Sequence, residues 1–278
     1  MNILNQKQVK SIVKTALLAG EIAMNYFGSN NLNIKIKDDD SPLTIADSLI
    51  SDLIYQELKK IAPEIPIICE EGKNRGFGNG TFWLIDPIDG TSSFSTNDPE
   101  FTINIALIKN KTPVFGLIFA PAIKDLPIYY TNEKQILVKY FIDEKKEIIA
   151  DIKKRNEKDL IVIASRRSSD EDIMEYFTNN FFKDDSSKNL TMMALRFQDN
   201  IKLNKIPNIY KVSSSLKFLY LIEAKTDLYL HLRRSMEWDI AAGHGLLLAA
   251  GGRILNLDGS KFEYEKAELK NKPFLASL

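Results

Sequence analysis

Apolar residues recur at helical spacing at the start of the chain. Val9, Ile12, Val13, Ala16, Leu17, Ala23, Met24 and Phe27 fall on one stripe with Gly28 behind them, so an amphipathic helix is expected over 6–27. A second stripe, Ala46, Leu49, Ile50, Leu53, Ile54, Leu58 and Ile61, opens at Thr44-Ile45-Ala46-Asp47 and stops at Pro63. The period then changes. Residues 65–70, 82–86, 101–109 and 113–119 are short runs rich in β-branched and aromatic residues, bounded by Gly, Pro, Asn or Asp, and read as strands. The last two suggest a hairpin turning at Asn110-Lys111, and further strands are expected at 127–130 and 135–140.

A charged stretch, 143–158, reads as a seam between two halves, 1–145 and 146–278, fused closely enough to count as one domain. Beyond it strands alternate with helices: a strand at 160–164, helices at 170–177 and 214–224, a strand at 228–232 and a helix at 239–250. The expected architecture is therefore an antiparallel-sheet α+β half followed by an α/β half. Segment 179–210 carries no readable pattern.

Composition narrows the chemistry. The 37 basic residues balance the 37 acidic ones, so the chain as a whole has no pull on nucleic acid, and any phosphate must be held locally. A single cysteine, Cys69, excludes an internal disulfide and multi-cysteine metal sites. With only His231 and His244 a three-histidine zinc centre is excluded, and a catalytic metal would rest on oxygen ligands. No secretory signal is read at the N-terminus, and no apolar run approaches the roughly 20 residues of a membrane helix. A cytoplasmic protein is the expectation, with peripheral attachment to the cytoplasmic face of the inner membrane and the oligomeric state left open.

Asp86-Pro87-Ile88-Asp89-Gly90-Thr91 follows the apolar Trp83-Leu84-Ile85. A strand ending in Asp86, turning and restarting as a helix would put two carboxylates and a free carbonyl around one volume, a hard-cation site. The amides of Gly90, Thr91 and Ser92 would lie at the helix N-terminus, where a phosphate is favoured. A decorated turn would read the same way. Glu70-Glu71 closes another strand, where neighbouring side chains face opposite ways, so one of the pair at most addresses a given metal. Asp239 is either a helix N-cap or a third metal carboxylate from the other half, and Asp47 in Thr44-x-x-Asp47 is by itself a capping-box residue.

Together, "EEG", "DPIDGT" and "WDIAAGHGLLLAAGG" resemble the metal-binding signature of the inositol monophosphatase superfamily of magnesium-dependent phosphatases. "KDDDSPLTIAD", "FTINIALI", "SSLKF" and "MEWDIAAGHG" are similar to its CysQ branch, the 3'(2'),5'-bisphosphate nucleotidases. The resemblance implies a layered αβαβα sandwich. It also implies two or three magnesium ions, with Glu70, Asp86 and the Ile88 carbonyl holding one and Asp86, Asp89 and Asp239 a second. Asp47 and Thr91, with Glu70, would handle the attacking water; one Asp47 oxygen could cap while the other faces the site. Gly90, Thr91 and Ser92 would meet the reacting phosphate, and Ser214, Lys217 and Arg233 the rest of the substrate.

The implied reaction is hydrolysis of the 3'-phosphate of adenosine 3',5'-bisphosphate. An inositol monophosphatase or fructose-1,6-bisphosphatase is the alternative, and a non-catalytic phosphometabolite-binding protein the third reading. Two departures bear on substrate choice. Ser165-Arg166-Arg167-Ser168 stands where the branch reads Ser-Arg-Ser-His, and His231-Leu232-Arg233-Arg234-Ser235 where it reads Arg-x-Gly-Pro-Thr. Arg233, on the strand face of position 231, would substitute for the missing arginine. Ser214-x-x-Lys217 lacks the partner motifs of serine β-lactamases, the glycines at 76, 78 and 80 lead into a strand rather than a helix, and Cys69 and His244 read as packing residues.

Overall fold

A computed structural model describes residues 3–29, 34–36, 42–72, 76–153, 155, 159–182 and 207–278. Most of the unpatterned 179–210 segment, residues 183–206, lies outside them. Helices α1 (Gln6–Tyr26) and α2 (Ile45–Ile61) both begin in capping boxes, Asn5 with Gln8 and Thr44 with Asp47. They pack against each other, though two residues of the expected stripes, Met24 and Leu49, face solvent.

A seven-stranded sheet follows: β3 (Ile67–Cys69), β4 (Thr81–Asp89), β5 (Thr102–Lys109), β6 (Thr112–Phe119), β7 (Ile128–Thr131), β8 (Leu137–Phe141) and β9 (Lys146–Ile149), neighbours in that order. Only β3 and β4 pair in parallel. Asn110 and Lys111 both adopt positive φ, 49° and 63°, the geometry that a tight β5–β6 turn needs. β9 lies inside the stretch expected to be a seam, so the first sheet runs to Ile149. The short pairs β1 (Lys35–Ile36) with β2 (Pro42–Leu43), and β13 (Ser235–Met236) with β15 (Lys270–Asn271), sit apart from it.

The second sheet is mixed, in the order β11 (Asn208–Val212), β10 (Ile161–Ser165), β12 (Leu228–His231), β16 (Phe274–Ser277), β14 (Arg253–Asn256). Of these, β11, β14 and β16, like β15, lie outside the expected strands; they are short, and their apolar content becomes meaningful only once neighbours are in place. Helices α3 (Thr91–Ser95), α4 (Asp170–Phe177), α5 (Leu216–Ile222) and α6 (Glu237–Ala249) complete the described elements, with a π-helical turn, Thr178–Phe182, after α4.

Alternation along the strands assigns the layers. Trp83, Ile85, Ile103, Ile105 and Leu117 join the core under α1 and α2, whereas Phe82, Leu84, Ala106 and Ile118 join a second core with α5 and α6. Ile163, Tyr229 and Ala276 of the second sheet close that middle core from the other side. Val162, Ala164, Leu230 and Leu275 face a third core with Ile173 and Phe177 of α4. The result is the αβαβα sandwich. Buried between two sheets, α6 is apolar all round, as its position requires. It touches the first sheet at Gly116, where an added Cβ would meet the Ala242 carbonyl oxygen at 2.3 Å.

Candidate active site

The acidic motifs meet at one cleft of about 1040 Å³, on the boundary between the two sheets. Its lining includes Glu70, Asp86, Ile88, Asp89, Gly90, Thr91, Ser92, Ser214, Lys217, Arg233 and Asp239, so every expected site residue except Asp47 faces it. β4 supplies the centre. Contrary to the expectation of a strand ending at Asp86, β4 continues to Asp89, with an irregularity in its pairing to β5 between the two aspartates. The bulge absorbs Pro87 and lets both carboxylates face the cleft. Gly90 then turns at φ 91°, where a Cβ would lie 3.0 Å from the Glu100 carbonyl oxygen, and α3 begins. Glu70 sits just past the end of β3, its backbone N–H donating to the Ile85 carbonyl at 3.1 Å, so it is a turn residue rather than a strand residue.

Asp239 is not the N-cap of α6. It sits in the first turn, and its Oδ2 accepts the backbone N–H of Met236 at 2.8 Å. The helix start is anchored by Glu237, fully buried, which accepts from the Glu265 and Lys266 backbone N–H groups and from the Lys266 ammonium at 3.0 Å.

Burial and mutual repulsion dominate the electrostatics. Desolvation, then the charges of Glu70, Asp89 and Asp239, push Asp86 well above the usual carboxylate range. Asp239 is raised by burial, Asp89 and Glu70, and Asp89 by burial against the pull of Lys217, Ser215 and Asn104. Lys217, buried beside them, is lowered to about 8 by desolvation. Its Nζ donates to the carbonyls of Val212 (3.3 Å) and Ser214 rather than standing free for a phosphate.

Among the described residues, no three His, Cys, Asp or Glu side chains close tightly around one point. Their common wall and common field make them a set. Every donor is a hard oxygen, and Oδ1 of Asp86 is buried without a hydrogen-bond partner, so the donor chemistry fits a divalent hard cation. The Ile88 carbonyl accepts the Thr91 hydroxyl at 3.0 Å and keeps a second lone pair.

Asp47 is 1% exposed and stands behind the wall. Its Oδ2 accepts from the Thr44 backbone N–H (2.8 Å) and hydroxyl (2.5 Å), while Oδ1 lies 3.4 Å from the Thr91 hydroxyl. One oxygen caps α2 and the other addresses the site, so among the described residues Thr91 links Asp47 to the cleft.

Two residues were not anticipated. Ser215 Oγ lies 2.8 Å from Asp89 Oδ2 and 2.9 Å from the Asp239 carbonyl, and Asn104 Nδ2 donates to Asp89 Oδ2 (3.2 Å) and to Ser215 Oγ (2.9 Å). They tie β4, β5, α5 and α6 together at the acidic floor. The available signals were a lone Asn inside the apolar run "FTINIALI" and, for Ser215, its place in "SSLKF".

The rim of the cleft is basic. Arg167 donates to Ser92 Oγ at 2.7 Å, and Arg233 donates to the Arg167 carbonyl at 2.8 Å. β12 ends at His231, so Arg233 shares no strand face with it and stands exposed on the following turn. Arg166 is committed to Asp98 and Glu100 instead. Cys69, raised to about 11 by burial beside Ser51, and His244, lowered to about 3 by burial beside Tyr264, are packing groups.

The sequence profile of the inositol monophosphatase family matches residues 5–275. The 3'(2'),5'-bisphosphate nucleotidase CysQ of Buchnera aphidicola subsp. Acyrthosiphon pisum is 31% identical over 286 residues, covering 100% of this chain and 96% of that relative. Its counterpart from Salmonella typhimurium is 29% identical over 94% of this chain and 95% of its own. The crystal structure of CysQ from Bacteroides thetaiotaomicron superposes with a TM-score of 0.74 at 27% identity, covering 98% and 97% of the two chains. From the acidic motifs through the five layers to a match over nearly its whole length, the chain belongs to the inositol monophosphatase family.

Proposed function

We propose that the protein is a magnesium-dependent phosphomonoesterase that removes the 3'-phosphate of adenosine 3',5'-bisphosphate, giving AMP and phosphate. One observation carries this reading: a single cleft has a floor of buried and half-buried carboxylates, a hydroxyl–carboxylate pair opening onto it, and a rim of exposed arginines. A substrate with one phosphate to react and a second to anchor matches both levels. The near full-length likeness to proteins named 3'(2'),5'-bisphosphate nucleotidase supports the nucleotide as the body joining the two phosphates.

Glu70, Asp86, the Ile88 carbonyl, Asp89 and Asp239 would hold two or three magnesium ions. Magnesium bound there supplies positive charge that favours a hydroxide-like nucleophile and an anionic leaving oxygen. Thr91 takes a proton from the attacking water while its own hydroxyl proton, shared between the Ile88 carbonyl and Asp47 Oδ1 in the resting site, passes to Asp47. The water oxygen bonds to phosphorus as the bond to the ribose oxygen breaks, and that oxygen leaves as a hydroxyl after taking up a proton from solvent water in the open cleft. Main-chain groups of Gly90 and Thr91, with Ser92, orient the phosphoryl oxygens. Arg167 and Arg233 hold the second phosphate at the rim, and Lys217 balances the charge of Asp89 and Asp239 from behind.

The cytoplasm is proposed as the compartment; among the described residues no helix is long and apolar enough to cross a membrane. The test is phosphate release with and without magnesium from adenosine 3',5'-bisphosphate, inositol 1-phosphate and fructose 1,6-bisphosphate. Turnover fastest on the nucleotide, dependent on magnesium and abolished in Asp89→Asn, is expected. Preference for either sugar phosphate would replace the nucleotide with that substrate, and magnesium-independent turnover, or none on any of the three, would sink the mechanism.

A further inference from the structure

We propose that His231 is a neutral reader of the substrate's organic body, donating a hydrogen bond from Nε2–H to an uncharged oxygen or nitrogen acceptor between the two phosphates. This rests on the reading above, in which the ligand spans the cleft from floor to rim.

A chain of contacts sets the height of His231 on the cleft wall. Asp89 and Asp239 at the floor act on Lys217, whose ammonium sits 5.5 Å from the centre of the Tyr229 ring. The Tyr229 hydroxyl is 3.0 Å from His231 Nδ1, and His231 in turn feels the charges of both Lys217 below and Arg233 at the rim. His231 lines the cleft within the field of Lys217, beside the acidic floor, and of Arg233 at the rim.

Its chemistry is fixed by the same neighbours. Burial and the two cations hold its pKa down to about 3, so the ring is uncharged near neutrality and cannot act as a phosphate clamp. Burial and the charges of Asp89 and Asp239 keep the Tyr229 phenol protonated, and the ammonium over its ring makes it a better donor. Tyr229 therefore gives its proton to Nδ1, and the ring's own proton sits on Nε2. The Arg233 backbone raises the ring's pKa as an acceptor of its proton would, yet no hydrogen bond of ordinary geometry satisfies Nε2. A buried donor left this way is the exception in folded proteins and points to a partner that arrives with the ligand. The ring is also held in orientation, stacked on Phe274 at 4.9 Å and 15°. Because its direction is set before binding, the donor can discriminate between ligand shapes.

The measurement is the ratio of kcat/KM for adenosine 3',5'-bisphosphate to that for p-nitrophenyl phosphate, which lacks the sugar, base and second phosphate. In His231→Ala the ratio should fall by on the order of ten-fold, carried by KM of the nucleotide. His231→Gln, whose amide can donate from a similar point, should recover most of it. Tyr229→Phe, which frees the tautomer, should lower the ratio about three-fold, and it carries the test if His231→Ala does not fold. An unchanged ratio in His231→Ala, or an equal fall in Ala and Gln variants of wild-type melting temperature, overturns the assignment while leaving the nucleotidase reading intact. A wild-type protein inactive on the nucleotide removes both.

Discussion

The floor and the rim of the cleft are built by opposite means. At the floor, Asp86, Asp89 and Asp239 are held by a strand bulge, a first helical turn and the Ser215–Asn104 bridge, Asp86 buried and the other two half-buried, where their repulsion is screened less than on an open surface. At the rim, Arg167 and Arg233 stand in solvent and are positioned mainly by two hydrogen bonds, one to Ser92 and one between the two turns that carry them. The floor stores electrostatic tension that a divalent cation would relieve. The rim stores little, and its charges are screened by salt. Chemistry needs fixed geometry and unscreened charge, whereas recognition of a second phosphate tolerates exposed, adjustable side chains.

Substitutions at each level would sharpen or break this contrast. The largest effect is expected of Thr91→Ala, which removes the hydroxyl between Asp47 and the cleft: kcat with magnesium should drop by roughly 10²–10³ with little change in KM. A loss under about five-fold would mean that the proton leaves by another route.

Ser215→Ala comes next. The hydroxyl makes no cap bond to its own helix, so its loss should act on Asp89 and Asp239 rather than on α5. The midpoint of a magnesium titration, followed as melting temperature, should rise by about ten-fold or more, in line with groups that orient metal ligands. A midpoint equal to wild type would break the idea that the floor is pinned from behind.

At the rim, Arg167→Ala should raise KM for the bisphosphate by about ten-fold at low salt, with the difference shrinking as ionic strength rises. A large fall in kcat instead would place Arg167 at the floor.

The smallest effect concerns stability in the middle layer, away from either level. Burial holds His244 down to about 3 against an ordinary 6.5, so between those values the unfolded chain binds a proton that the folded chain refuses. The contribution is complete above pH 6.5 and is lost as pH falls toward 3. Denaturant unfolding from pH 7 to pH 4 should show the wild type losing up to a few kcal/mol more than His244→Gln. Parallel pH profiles would show that folded His244 takes up its proton as readily as the unfolded chain does.

The acidic motifs were legible because each lies at the end of a strongly patterned element. Glu70 follows β3, Asp86 and Asp89 close β4, and Asp239 opens the apolar α6. That Asp47 caps α2 was legible in its capping box, whereas a use for its other oxygen came only from the resemblance. Other features were hidden for physical reasons. Pro87 reads as a chain break, but a bulge lets the strand pass through it. β9 is charged because it is an exposed edge, which in sequence looks the same as a solvated linker. β16 has only four residues, and the hydrogen bonds that define it come from β12 and β14.

The sequence by itself determined the periodic elements, the five alternating layers through the resemblance that its motifs carry, and the identity of the acidic groups, because periodicity and residue chemistry are local properties. Only the tertiary structure decided that Ser215 and Asn104 bind Asp89, that Arg233 stands on a turn rather than a strand face, and that His231 keeps an unpartnered ring nitrogen on the cleft wall. Those facts depend on which side chains meet across distances of up to 126 positions in the chain, and on which of them are left without water. Desolvation and contact are set by packing, and no stretch of neighbouring residues encodes them.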